Sequence, residues 1–76
     1  MLSQVLRKEV EAAMRQIDRS GSAGTATIQV EGRQVQCFFG QEAKARAHQA
    51  HAAALAADAV PLSGVEQVED AFFFVT

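Results

Sequence analysis

Over residues 2–19, LSQVLRKEVEAAMRQIDR, the apolar positions Leu2, Leu6, Val10, Ala13 and Ile17 recur in steps of four and three, and Met14 widens the stripe. That spacing keeps them on one face of a 3.6-residue helix and predicts an amphipathic first helix. Arg7–Glu11 and Glu11–Arg15 stand at i,i+4 on the polar side, where each pair adds tenths of a kcal/mol. Ser20-Gly21 is a helix stop, and the SGSAG run predicts a loop.

The period then changes to two. In TATIQVEGRQVQCFF, residues 25–39, Glu31-Gly32 fits the two-residue turn of a hairpin, because glycine supplies positive φ. The register that follows sets Val30 opposite Arg33, Ile28 opposite Val35 and Ala26 opposite Cys37. Ile28, Val35, Ala26, Cys37 and Phe39 then share one face. Gln29, Gln34, Thr27, Gln36 and Phe38 share the other. A three-residue loop with a bulge would shift this register and mix the faces.

Gly40 ends the hairpin, and residues 41–59 predict an alanine-rich second helix closed by Pro61. Ala43, Ala47, Ala50, Ala54 and Ala57 form one narrow stripe without a polar member, suited to close approach to a sheet or another helix. Lys44, His48, His51 and Leu55 lie together about 120° away. Ser63 and Glu66 have capping-box spacing, which leaves residues 64–69 open between one helical turn and a short edge strand through Val65 and Val68. Residues 71–76, AFFFVT, predict a last strand.

The expected fold is α+β in the order α-β-β-α-β, one domain over residues 1–76. A small, mostly antiparallel three-stranded sheet carries both helices on one face. Phe72-Phe73-Phe74 cannot all point one way, since strand side chains alternate. If Phe73 and Val75 join the core, Phe72 and Phe74 emerge beside Phe38; the opposite choice exposes Phe73 and Val75. The second face then meets another protein, as exposed apolar patches tend to, or the second helix or the 60–69 loop folds over it. The candidate interaction surface is Phe38, Phe72 and Phe74, with Arg33, Gln34 and Gln36.

Composition sharpens this picture in three ways. Of the 49% hydrophobic residues, 15 are alanine, which leaves 22 larger apolar side chains and neither Trp nor Tyr. A chain of 76 residues often draws only ~3–5 kcal/mol from its own core, so self-association or a partner is expected to add burial. The single Cys37 excludes an intramolecular disulfide, no signal peptide is recognisable, and no apolar run of about 20 residues exists to span a membrane. The expected location is cytoplasmic or within a virion assembly. The net charge of −2 opposes general nucleic-acid binding. It is unevenly spread: residues 1–46 hold all seven Lys and Arg with five acids, and residues 47–76 hold four acids and no base. Such a chain can stack head to tail.

Candidate chemistry is sparse. His48 and His51 stand one turn apart, but zinc sites take three or four ligands, and Cys37, the remaining soft donor, points into the core in the hairpin register. The same burial opposes Cys37 as a nucleophile. Phosphate-binding, nucleophile-elbow and H-E-x-x-H motifs are absent, and the cluster Glu66, Glu69 and Asp70 reads as a solvated face. No catalytic, cofactor-binding or metal residue is assigned, and the chain is expected not to be an enzyme.

Residues 40–55, GQEAKARAHQAHAAAL, resemble the closing helix of double-stranded RNA-binding domains, where Lys44 stands in a segment that is a lysine cluster in that family. This resemblance implies a nucleic-acid-binding alternative. In the N-terminal half, Val30, Gly32, Val35, Cys37 and Phe39 follow a helix in a V-x-G-x-x-V-x-C-x-F pattern. That half resembles the start of small prophage head–tail joining or attachment proteins, and the resemblance implies a non-catalytic virion component that assembles in a ring. The expected function is a protein–protein interaction or assembly module acting on its own copies or another assembly component. The alternatives are a small inhibitor from a mobile element that binds a protein, and a nucleic-acid-binding module.

Overall fold

The computed structural model describes residues 3–17, 24–58 and 60–76. Their order is α1 (Gln4–Arg15), β1 (Thr25–Val30), β2 (Arg33–Phe38), α2 (Ala43–Ala56), β3 (Glu66–Val68) and β4 (Ala71–Val75). Ser3 caps α1, its side-chain oxygen accepting from the Leu6 N–H at 3.2 Å. The predicted helix start at Leu2 and stop at Ser20-Gly21 lie outside the described residues, as does Ala59, the expected last residue of the second helix.

The hairpin forms in the expected register, Val30 with Arg33, Ile28 with Val35 and Ala26 with Cys37. Both turn residues are left-handed, Glu31 at φ 56 and Gly32 at φ 76, the conformation whose twist matches that of the two strands. Among the described residues the sheet runs β1-β2-β4-β3 and is antiparallel throughout, with four strands rather than the expected three. The added strand is β3. It arises because Ser63 does not cap a helical turn: its hydroxyl accepts from the Val75 N–H at 3.0 Å and donates to the Gly64 carbonyl at 3.0 Å. Leu62 and Ser63 also donate their backbone N–H groups to the Val75 carbonyl. The chain thus arrives alongside β4 already extended.

The helices cover opposite faces of this sheet, which corrects the expectation that both share one. On the first face, Val10 and Met14 of α1 pack with Val35, Cys37, Phe73 and Val75, all essentially without solvent contact. On the second, Ala43 and Ala47 of α2 lie against Phe38 and Phe74. The reason is β4 itself. Its five residues are all apolar, so its pleat sends Phe73 and Val75 to one side and Phe72 and Phe74 to the other. Methyl side chains let α2 settle low enough to close over the rings. Phe38 and Phe74 stack there with centroids 6.0 Å apart.

Two sets of polar contacts fix the helices. Glu42, which precedes α2, is left-handed at φ 58 and gives no side-chain cap. Arg46 takes over: its guanidinium donates to the carbonyls of Gly24 (3.0 Å), Gln41 (3.1 Å) and Phe39. One side chain thus ties the entry of β1, the exit of β2 and the start of α2. On the other face, Arg7 pairs with Glu11 and Glu66, and Arg15 with Glu69. The basic first half and the acidic last third of the chain therefore meet inside one protomer, which removes much of the charge separation that would drive head-to-tail stacking. Each exposed pair adds little on its own.

A contact of like charge joins α1 to the hairpin turn. Glu31 beside Glu9 raises the Glu9 pKa, first through hydrogen bonding between the two carboxyls, then with desolvation and the neighbouring charge. A carboxyl whose folded pKa is raised holds its proton more tightly when folded, so the contact favours folding as pH falls and opposes it once Glu9 ionises.

Two measurements check this account of the fold. Phe74→Ala should cost ~3–5 kcal/mol in denaturant unfolding, the usual range for a buried ring, or abolish folding. A loss below about 1 kcal/mol would mean that α2 does not cover the second face. Glu9→Gln should be at least as stable as the wild type at neutral pH, with its advantage shrinking as pH falls through the carboxylate range. An advantage that grows on acidification would contradict the Glu9–Glu31 contact.

Candidate functional site

The six residues of the expected interaction surface do not form one. Phe38 is 6% exposed and Phe74 is 2% exposed, both beneath α2, and Phe72 is half-buried at the margin of the same cluster. They serve the second core, because α2 supplies the cover that another protein was expected to supply. Arg33 and Gln34 are exposed and Gln36 is half-buried. Arg33 pairs with Val30 and shares its face of the sheet, the one that carries α1. It is therefore separated by the sheet from Gln34, Gln36 and the phenylalanines.

The histidines are similarly divided. His51 Nε2 lies 3.2 Å from the Ser63 carbonyl oxygen, and its ring meets Phe74 edge-on at 5.2 Å. It pins the middle of α2 to the loop before β3. His48 is exposed one turn earlier. Among the described residues, no third His, Cys, Asp or Glu gathers with them in a metal-ligating group. Cys37 is buried, its thiol facing the Val35 carbonyl oxygen at 3.9 Å, and burial pushes its pKa up to about 11. A thiol so placed is held protonated and out of contact with solvent. A shallow depression along α1 is lined by Gln4, Arg7, Lys8 and Glu11, with Arg7 already engaged by two carboxylates.

Helices cover both faces of the sheet over β4, and the two edges of the sheet differ. On the β3 side the strand is three residues long, and the Gln67 carbonyl accepts from Arg7 Nη2 at 3.0 Å. A short strand whose outer carbonyl is taken by an arginine is a blunted edge. On the β1 side the strand is six residues, TATIQV, with no charge, no proline and no break in register.

The hairpin dictates which groups of β1 face outward. A two-residue turn closes on a hydrogen-bonded pair, here Val30 with Arg33, and bonded pairs then alternate along the ladder. Ile28 and Ala26 therefore bond inward to β2. The N–H and C=O groups of Thr25, Thr27 and Gln29 point away from the sheet. The Phe39 N–H donating to the Gly24 carbonyl at 2.8 Å continues the same alternation. Among the described residues, none bonds to that outer row of backbone groups.

The side chains along this edge are two-faced. Thr25, Thr27 and Gln29 are exposed on the α2 side, and the Thr27 hydroxyl donates to Gln36 Oε1 at 3.0 Å. Ala26 and Ile28, on the α1 side, are half-buried against the core. The strand pattern was legible from the sequence. Its position at an edge was not, because strand order depends on which neighbour β4 chooses, and β4 pairs with β2 and β3. Chemically, the row offers uncharged donors and acceptors at strand spacing, suited to an extended backbone.

Compared with known proteins, the sequence matches no family model, and neither a curated protein nor a solved structure matches it significantly.

Proposed function

We propose that this chain is a non-catalytic protein–protein interaction or assembly module, and that its contact element is the outer edge of β1. The observation that carries the proposal is the contrast between the two sheet edges. β3 is short and occupied by Arg7, whereas β1 presents a full strand without the lysine, proline or bulge that usually discourages pairing. Adding a strand to such an edge forms main-chain hydrogen bonds without requiring a pocket, and the exposed Thr and Gln side chains supply specificity.

The aromatic side chains favour this mode over a stacking platform for nucleic acid. Phe38 and Phe74 are covered by α2, and Arg33 lies on the opposite face of the sheet from them. Stacking on single-stranded bases needs open rings beside positive charge.

Thr27→Pro tests the module. Thr27 directs its N–H outward, so proline there removes an edge donor and leaves the β1–β2 ladder intact. Immobilised wild-type protein should retain specific proteins from its native lysate, or its own untagged copy, that the variant does not retain, with the two circular dichroism spectra alike. Equal retention by both, or none by either, would overturn the proposal.

A further inference from the structure

We infer that the strand completing the β1 edge is β1 of a second copy of this chain, paired antiparallel about a two-fold axis through Thr27, so that two four-stranded sheets become one continuous sheet. This presupposes that β1 is the contact element, and it names the partner.

The register is the first ground. Centred on Thr27, antiparallel pairing sets Thr25 against the partner's Gln29, Thr27 against the partner's Thr27, and Gln29 against the partner's Thr25. Every residue of β1 that points its backbone outward then faces another that does the same, and both hydrogen bonds of each pair can form. A shift of pairing to either side leaves at least one of the three unmatched.

Side chains agree with that register on both faces. On the α2 side, threonine faces glutamine at two positions and threonine at the third, each with donors and acceptors, and no charge opposes a like charge. On the α1 side, Ala26 and Ile28 of one copy come opposite the partner's Ile28 and Ala26, extending the apolar layer at positions the protomer leaves only half-buried. The axis also carries the two Glu31 turns to opposite ends of the joined strands, so the acidic turns stay apart.

The helix above is shaped for the same neighbour. Arg7, Glu11 and Arg15 lie on the β3 side of α1, where Arg7 and Arg15 hold Glu66 and Glu69. At 100° per residue, the opposite flank carries Val5, Glu9, Ala12, Ala13 and Gln16. α1 packs against β1, and Leu6 and Ala13 join the same core as Ala26 and Ile28, which places that flank over β1. Val5 there is 70% exposed. Pairing about Thr27 brings the same flank of the second α1 alongside, small and with one acid per copy, while the ion pairs stay on the far side.

Sedimentation equilibrium over a wide concentration range tests this. The wild type should reach a mass twice the protomer's 8.1 kDa. Thr27→Lys and Thr27→Glu each place like charges face to face on the axis, and each variant alone should remain at 8.1 kDa with an unchanged circular dichroism spectrum. Mixed in equal amounts, the two should regain the doubled mass, since lysine then faces glutamate. A wild type that stays at 8.1 kDa at every concentration overturns the inference whatever the variants do. A pair that both variants retain, or a mixture that does not re-form one, overturns the Thr27 register. If the wild type is a single protomer yet retains lysate proteins that Thr27→Pro loses, self-pairing fails and the interaction module stands.

Discussion

Every side chain of β4 is apolar, and a pleated strand must send alternate side chains to opposite faces. Ala71, Phe73 and Val75 face one way; Phe72 and Phe74 face the other. A sheet with such a strand between two others is satisfied only if both faces are covered, and the rest of the architecture follows. α1 brings Val10 and Met14 to one face. α2, made mostly of alanine, closes on the other because methyl groups let its backbone approach Phe38 and Phe74. The few large apolar residues of the chain are thereby divided between two thin cores.

That division assigns the polar contacts their tasks. Arg46 anchors the uncapped start of α2 through three carbonyls from three segments. His51 holds the helix to the loop before β3, and Ser63 continues the hydrogen bonding of β4 beyond the end of β3. On the opposite face, Arg7 and Arg15 join α1 to the acidic residues around β3, and Arg7 also closes that edge. The charge asymmetry visible along the chain is largely an internal device.

The hairpin was legible in the sequence to the residue, because a period of two around Glu31-Gly32 admits few registers. So was the alanine stripe of α2, whose first members Ala43 and Ala47 are buried. The need of the triple phenylalanine for cover on both faces was legible too, but not what supplied it. A stripe of alanines carries almost no amphipathic signal, and nothing in it says which side of a sheet it will choose. Capping-box spacing at Ser63 and Glu66 was equally compatible with the strand that formed, since a serine hydroxyl serves a strand N–H as well as a helical one. The edge position of β1 emerged only from strand order, a long-range property beyond any local pattern.

With both faces covered over β4 and the Gln67 carbonyl of the β3 edge taken by Arg7, the outer row of β1 is, among the described residues, the full-length run of strand backbone open to a partner. Amide hydrogen exchange by NMR tests that claim most directly. In dilute protein the amides of Thr25, Thr27 and Gln29 should exchange quickly while those of Ala26, Ile28 and Val30 are protected, and the contrast should fade as concentration rises. Uniform protection of all six in dilute protein, or fast exchange of the outward three at every concentration and with every partner tried, would contradict it.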